Sequence, residues 1–320
     1  MSSDLILGID GGGSKALVAL ADRSGHVSRV SRGEGINPID NRAWRQGLEA
    51  QLWPFLETDL AGVAAALPAY GEVEQISADQ RDVIATAFGS IPQRVLNDVD
   101  AAHVGAFAGG AGILILSGTG SMAWARDNAG RSYRVGGWGE TIGDEGSGHW
   151  IGHRVLERVS QSIDGRAAPT ALVDAVFRHL QLDRADPING LEGWVSRMKS
   201  PRSEIAALAR VAGDLAEADD RDAVAILERA ADELARHVTA IATIAALPLE
   251  WSYAGGAFGS RVLREAVAAR VGRPPVLPRL PPIGGALLAA AQHLDWPVQH
   301  AWIERLAAAI EAMPAKDCAL

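Results

Sequence analysis

Short apolar segments alternate with glycine-rich turns along the first third of the chain. Residues 5–9 (LILGI) form a run of large apolar residues that predicts a buried β-strand. Residues 15–22 form a second apolar run, and residues 26–33 alternate between apolar and polar positions, as in a strand with one exposed face. The pattern therefore predicts three consecutive strands joined by tight turns.

Helical and strand patterns alternate in the region that follows. Apolar residues recur every four positions over 41–55, which predicts an amphipathic helix. A serine at its start and a glycine at its end frame a second helix over 77–89. Further strands are predicted at 61–67, 94–100 and 112–116, with a short helix at 101–109 between the last two.

The three-strand pattern occurs twice. LILGIDGGGSKALVALADRSGHV and ILILSGTGSMAWARDNAGRSYRV each contain an apolar strand, a small-residue loop, a second strand, a polar glycine turn and a third strand. Two such units suggest a duplicated α/β domain rather than a solenoid of short repeats. Beyond residue 147 the pattern is mostly helical, with a strand and glycine turn at 249–260. We expect one lobe over 1–116 and another over 117–320, whose last helix, at about 300–314, could pack back on the first lobe.

Composition narrows the possible functions. The chain has 320 residues, a formal net charge of −9 and no basic tract, which disfavours nucleic acid or an anionic membrane as a partner. A single cysteine, Cys318, excludes a disulfide framework and a cysteine-held metal cluster within one chain. No apolar run reaches 18 residues and no basic, apolar leader is evident, so we expect a cytoplasmic protein.

The two glycine loops are the strongest candidates for chemistry. GIDGGGSK (8–15) lacks the spacing of a dinucleotide fingerprint or of a Walker loop, and alone it could be a simple hairpin. SGTGS (117–121) occupies the equivalent place in the second unit. Backbone N–H groups of paired loops of this kind bind phosphate oxygens. Candidate phosphate-binding residues are Gly11, Gly12, Gly13, Ser14, Lys15, Gly118, Thr119 and Gly120. Asp10 would hold Mg²⁺, through water.

Taken together, the motifs resemble those of a known group of enzymes. The two loops and a later AGGAFGS (254–260) resemble the sugar kinase, hsp70 and actin ATPase superfamily, and GGWGETIGDEGSGHWIG (136–152) resembles the N-acetylglucosamine kinase branch of the BadF/BadG/BcrA/BcrD ATPase family. The resemblance implies a two-lobed, duplicated ribonuclease-H-like fold of the actin/hexokinase type, with a central cleft that binds ATP and Mg²⁺. It also implies that Gly255 and Gly256 lie against adenine and ribose.

The resemblance implies a catalytic base in LNDVDAA. Related hexose and hexosamine kinases carry an aspartate where this chain has Asp98, at the acidic end of the strand predicted over 94–100. A carboxylate at that place can accept the proton of the attacking hydroxyl. Asp100 is the alternative, although an aspartate there could instead cap the helix predicted at 101–109.

The resemblance also implies a sugar site formed by Asn37, Asp98, Gly137, Trp138 and Asp144. Each has an alternative role. Asn37 could belong to an ordinary Asn-Pro turn, Trp138 to the core, and Asp144 or Glu145 could cap a helix over 147–160. Two positions depart from the mammalian kinases. Pro38 or Ile39 replaces an aromatic residue, and Met122 replaces an asparagine after the second loop.

The expected function is phosphorylation of a small amino sugar at its 6-hydroxyl. N-acetylglucosamine is the first candidate because no acid lies between Asn37 and Asp40 in GEGINPID, and Asp40 could cap the following helix. Glucosamine and N-acetylmuramic acid stay open, as does the oligomeric state, with a homodimer as one alternative. Two other classes are disfavoured: a radical-dehydratase activator needs more cysteines than Cys318, and a sugar-sensing repressor needs a DNA-binding segment. His149 and His153 lack an evident third metal ligand.

Overall fold

A computed structural model describes residues 3–312. Strands and helices alternate in its first half, and helices dominate its second half. The strands are β1 (Leu5–Gly11), β2 (Lys15–Asp22), β3 (Val27–Glu34), β4 (Gly62–Leu67), β5 (Gln93–Asn97), β6 (Gly112–Ser117), β7 (Ser121–Arg126), β8 (Ser132–Gly136) and β9 (Trp251–Ala254). The α-helices are α1 (Trp44–Leu52), α2 (Glu74–Phe88), α3 (Asp98–Ala106), α4 (Gly148–Ile163), α5 (Ala171–Leu180), α6 (Pro187–Arg197), α7 (Pro201–Glu217), α8 (Arg221–Ala245), α9 (Arg261–Val271), α10 (Pro282–His293) and α11 (His300–Glu311).

The two predicted three-strand units each form the edge of a sheet. The first sheet has the order β3-β2-β1-β4-β5, and the second has the order β8-β7-β6-β9. In the first sheet β1 is antiparallel to β2 and parallel to β4, and β4 is parallel to β5. The duplicated α/β plan predicted from the sequence is therefore present.

The described residues divide into two compact units. The first unit contains residues 3–114, 126–131 and 277–312, and the second contains 115–125 and 132–276. The predicted division placed 117–320 in the second lobe and allowed its last helix, at about 300–314, to pack back on the first. Residues 277–312 instead join the first unit, because α10 and α11 pack their apolar residues on its sheet. Cys318 and the end of the helix expected at 300–314 lie outside the described residues.

The core of the first unit lies on both faces of its sheet. Side chains alternate between the faces of a strand, so Ile6 packs with α3, α10 and α11 on one face, while Leu7 packs with α1 and α2 on the other. Gly8 lets α10 approach β1, because a Cβ there would lie 2.8 Å from Leu287 Cγ. This packing fixes β1 and β5, whose carboxyl ends carry the predicted carboxylates Asp10 and Asp98, and β4 between them.

Two helix starts differ from the predicted ones. α2 begins at Glu74 rather than at Ser77, whose hydroxyl donates to Val73 O and accepts from Gly71 N, so the serine lies inside the first turn. α3 begins at Asp98 with Asn97 as its cap, three residues before the predicted start. Among residues 3–312 no helix combines the length and apolar composition needed to cross a bilayer.

Candidate active site

The first glycine hairpin and the loop carrying Asn37 lie together in the first unit. Ile36 N donates to Gly12 O at 3.0 Å. A Cβ on Gly35 would lie 2.0 Å from Gly13 O, and one on Gly11 would lie 2.8 Å from Ile36 Cδ1. Glycine at 35 is therefore required by the close approach of the two backbones, which holds the 35–37 segment against the hairpin, while Gly11 leaves room for the Ile36 side chain.

Asp10 and Asp98 lie near each other at the carboxyl ends of β1 and β5, two parallel strands with β4 between them. Asp10 pairs with Ala66 of β4, and Leu67 of β4 pairs with Asn97 at the end of β5. Burial raises the pKa of Asp10 to about 7, opposed by Lys15. Burial, and then the negative charge of Asp10, raise the pKa of Asp98 to about 7 as well. Asp98 can therefore accept a proton near neutral pH, as a general base must.

The two candidate bases, Asp98 and Asp100, have different environments in the structure. Asn97 caps α3 by accepting from Val99 N at 2.9 Å, so the suggestion that Asp100 caps this helix is wrong. Asp100 instead accepts from Arg126 Nη2 at 2.6 Å, within the first unit, and both side chains are mostly buried. Arg126 is 26 residues away and neutralises Asp100, whereas Asp98 faces a second carboxylate.

Asn37 is held by its own loop. Its Oδ1 accepts from Ile39 N at 3.1 Å, and its Nδ2 donates to Asp40 Oδ2 at 2.9 Å. Asp40 does not cap the next helix, because α1 begins at Trp44 with Ala43 as its cap residue. An acidic side chain therefore lies beside the amide that the resemblance assigns to the sugar.

The second glycine loop is bonded to the segment that follows β8, within the second unit. Gly118 O accepts from Gly148 N at 2.7 Å, and Thr119 O accepts from His149 N at 3.3 Å. Ser121 Oγ donates to Glu145 O at 2.8 Å. The GDEGSG motif thus supports the loop from one side, while a Cβ on Gly118 would meet no atom of the described residues within 4 Å.

Asp144 is buried beneath this loop. It is 2% exposed and adopts the left-handed conformation, with φ 59°. Its Oδ1 accepts from Ser121 N at 3.3 Å, and its Oδ2 accepts from Arg202 Nη2 at 2.5 Å. Ser147, not Asp144 or Glu145, caps α4 by accepting from Trp150 N, so that alternative is wrong. The sequence patterns did not reveal Arg202, because no motif marks a residue 58 positions downstream.

Trp138 lies on the surface of a glycine-rich loop. It is 67% exposed, which excludes the alternative that it belongs to the core, and its ring stacks with the Arg134 guanidinium. Gly137 has φ 72°, and a Cβ there would lie 2.6 Å from Met122 Cε. Met122, which replaces the asparagine of the mammalian kinases, is therefore a buried residue that packs against Gly137.

The AGGAFGS turn contacts the second glycine loop. Gly255 has φ 100°, and a Cβ there would lie 2.3 Å from Ser117 O and 2.6 Å from Gly118 N. Gly256 is exposed and starts a 3-10 helix, Gly256–Gly259. Two of the three predicted nucleotide motifs thus meet inside the second unit.

The sequence matches one family model over residues 7–290, a span that includes both glycine loops and Gly255. The chain belongs to the BadF/BadG/BcrA/BcrD ATPase family. Membership of this ATPase family implies that the protein uses ATP.

Three curated relatives of this ATPase family member are amino-sugar kinases. An N-acetylmuramic acid/N-acetylglucosamine kinase of Clostridium acetobutylicum is 37% identical over 151 residues, which cover 47% of this chain and only about half (48%) of that protein. An N-acetyl-D-glucosamine kinase of Dictyostelium discoideum is 28% identical, covering 73% of this chain and 78% of that protein. A glucosamine kinase of Vibrio cholerae is 28% identical, covering 61% and 66%.

Solved structures establish the fold of this ATPase family member. A Chromobacterium violaceum protein, provisionally assigned as an N-acetylglucosamine kinase, superposes with a TM-score of 0.69 at 24% identity, covering 90% of this chain and 99% of that one. A ROK family glucokinase from Streptomyces griseus, solved with glucose and AMPPNP, gives 0.56 at 16% identity, covering 90% and 98%. The fold is therefore that of the actin/hexokinase-type sugar kinases.

The residues of this ATPase family member fit a phosphate-bearing ligand and its cation. The backbone at Gly118 is open on the side where a Cβ would lie, as a phosphate cradle requires. Asp10 supplies a carboxylate oxygen, the donor that Mg²⁺ prefers when water and phosphates complete its shell. Within residues 3–312, no group of three or more His, Cys, Asp or Glu side chains is arranged to hold a metal by protein ligands alone. His149 and His153 are neighbours on α4, with ring centroids 6.3 Å apart.

Proposed function

We propose that this protein is an ATP-dependent kinase that transfers a phosphoryl group to the 6-hydroxyl of an amino sugar, with N-acetylglucosamine as the preferred substrate. The observation that carries the proposal is the environment of Asp98. Its carboxyl follows a parallel strand, lies near Asp10, and has a pKa of about 7. A base of that strength can take the hydroxyl proton at neutral pH.

Each remaining residue then has a role in binding or charge stabilisation. ATP supplies the γ-phosphoryl group, and Mg²⁺ neutralises its developing charge. Asp10 holds the cation, in keeping with its place beside the first hairpin. Backbone N–H groups of that hairpin and of the second loop donate to phosphate oxygens, aided by Ser14, Lys15 and the Thr119 hydroxyl. Gly255 and Gly256 lie against adenine and ribose.

The sugar-binding residues are Asn37 and Asp98 in the first unit, and Asp144 and the backbone of Gly137 in the second. The exposed face of Trp138 offers an apolar surface to the ring or to its acyl group, since sugars combine hydroxyl donors with apolar faces. Asp144 already accepts from Ser121 N and Arg202 Nη2, and a sugar hydroxyl would donate to one of its remaining lone pairs. The three relatives act, by their names, on sugars of this class.

Glucosamine is the second candidate substrate, and one contact favours it. Asp40 lies beside Asn37, bonded to its amide at 2.9 Å. A carboxylate there would attract the ammonium group that glucosamine carries near neutral pH. The departure at Pro38 and Ile39 removes the aromatic residue that mammalian N-acetylglucosamine kinases have in this loop.

A coupled assay of ADP release across four sugars tests the proposal. Glucosamine, N-acetylglucosamine, N-acetylmuramic acid and glucose are compared by kcat/KM, and the product is identified as the 6-phosphate by NMR. We expect turnover with an amino sugar, and loss of at least about 100-fold in Asp98→Asn. Sugar binding without any ADP release would instead indicate a sensor, and ADP release that no sugar stimulates would indicate an ATPase activator. A kcat/KM for glucosamine more than about tenfold above that for N-acetylglucosamine would instead identify glucosamine as the substrate, with Asp40 attracting its ammonium group.

A further inference from the structure

An ion-paired cluster lies directly beneath the second glycine loop. Arg202, in the first turn of α7, donates from Nη2 to Asp144 Oδ2 at 2.5 Å, and its Nε lies 2.9 Å from Glu140 Oε2. The Arg202 side chain is 14% exposed and that of Asp144 is 3% exposed, whereas Glu140 reaches solvent. Charged groups this buried are retained only when they are paired.

The cluster contacts the loop through Gly120. A Cβ on Gly120 would lie 2.8 Å from Arg202 Nη2 and 2.9 Å from Asp144 Oδ2. Gly120 does not have the positive φ that would require glycine for conformational reasons. A side chain here would displace the guanidinium and the carboxylate, because both groups pack against the loop backbone. Gly118, two residues earlier, has open space in the same position.

Asp144 connects Arg202 to Ser121, the residue at the end of the loop. One carboxylate oxygen takes the Arg202 bond while the other accepts from Ser121 N, the first residue of β7. The left-handed backbone of Asp144 is uncommon for a residue with a side chain and persists only where its surroundings hold it. Without Arg202 the buried carboxylate would lose the cation that balances its charge, and it would turn toward water and release Ser121.

We propose that Arg202 is a positioning residue for the second glycine loop. It holds Asp144, and the pair keeps the amides of Gly118, Thr119 and Gly120 oriented toward nucleotide phosphates. The inference rests on the proposed nucleotide role of this loop and adds a residue that the motifs do not contain. Preorganised amides bind charge well because they do not need to reorient when the ligand arrives.

The test compares ligands with and without phosphates by calorimetric titration. Arg202→Met keeps the length of the side chain and removes its charge. We expect AMPPNP with Mg²⁺ to bind at least about tenfold more weakly, which is about 1.4 kcal/mol, while adenosine binds within about twofold of wild type. Arg202→Lys keeps one charge but cannot bridge Asp144 and Glu140 with a planar fork, so an intermediate loss is expected.

Arg158→Met is the matched control. Arg158 lies in the same unit, donates to Asp222 Oδ2 at 2.9 Å and has a similarly buried side chain. It should lower thermal stability without changing the ratio of AMPPNP to adenosine affinity.

Three results would overturn the proposal: wild-type AMPPNP affinity in a folded Arg202→Met, an equal loss of adenosine affinity, or the same ratio change in Arg158→Met. If Arg202→Met does not fold, Arg202→Lys decides, since unchanged AMPPNP affinity there would also overturn it. The titrations contain no sugar, so failure of the sugar kinase assay leaves them interpretable. Wild-type protein that binds no AMPPNP would refute both proposals.

Discussion

Replacing Asp98 with asparagine should abolish turnover and stabilise the protein. Asparagine has the shape of the carboxyl but cannot take a proton from the sugar hydroxyl, so we expect kcat to fall by at least about 100-fold. Affinity for Mg·ATP should change little. The stability gain follows from the energetic cost of holding two buried carboxylates near each other.

The size of that cost follows from the pKa of Asp98. Its ordinary pKa is 3.8, and in the folded protein the pKa is raised to about 7, by burial first and by Asp10 second. Each tenfold change in proton affinity corresponds to about 1.4 kcal/mol, so the charged Asp98 costs the fold up to about 4 kcal/mol. Because Asp10 shares the interaction and asparagine keeps a polar burial cost, we expect a gain of about 1–3 kcal/mol.

The pH dependence gives the gain a distinctive signature. A carboxyl whose folded pKa is raised destabilises the fold fully above pH 7, and this effect disappears as the pH falls toward 3.8. Urea unfolding of wild type and Asp98→Asn, without nucleotide or Mg²⁺, should therefore show the largest difference at pH 8. At pH 5 the difference should be less than about half as large.

Asp100→Asn is the control, because Asp100 pairs with the cation Arg126, whereas Asp98 lies near a second carboxylate, Asp10. Removing its charge leaves Arg126 mostly buried without that ion pair, so we expect a loss of about 1–3 kcal/mol at pH 8 and pH 5 alike. Activity per folded molecule should stay within about tenfold of wild type. An active Asp98→Asn beside an inactive Asp100→Asn would refute the assignment. A destabilised Asp98→Asn would refute the argument from charge.

Three further predictions concern the metal, the nucleotide turn and acid stability. Asp10→Ala should weaken Mg·ATP binding by about tenfold or more and leave sugar affinity nearly intact; calorimetry showing the reverse would contradict the metal role. Gly255→Ala should lower the melting temperature and the ATP affinity, because its Cβ would lie 2.3 Å from Ser117 O. The Cβ of Gly256→Ala meets open space among the described residues, so this variant should keep its stability. Equal losses of melting temperature in the two variants would contradict the prediction. His103 is buried, and burial lowers its pKa, so protonation of His103 favours the unfolded chain. Below pH 6.5 the free energy of unfolding of wild type should therefore fall more steeply than that of His103→Gln, by at most about 1.4 kcal/mol per pH unit. Parallel pH profiles of the two proteins would count against this prediction.

Local patterns were sufficient to predict much of the fold and to propose which residues form the candidate site. The apolar runs at 5–9 and 112–116, each followed by small residues and a second strand, predicted both repeated sheets because strand periodicity is a property of neighbouring residues. The position of Asp98 after a strand also placed it at the carboxyl edge of the sheet. GGWG and GDEGSG identified the family.

Contacts between distant residues were decided only by the tertiary structure. No local signal pairs Asp144 with Arg202 or Asp100 with Arg126, because those pairs form where separate elements pack. The same is true of α10 and α11, whose apolar faces fit either lobe by pattern and join the first one by packing. The raised pKa of Asp98 likewise depends on the neighbours that displace water and on a carboxylate from another strand. Sequence therefore determined which chemical groups are present, and three-dimensional packing determined which are charged, paired or able to accept a proton.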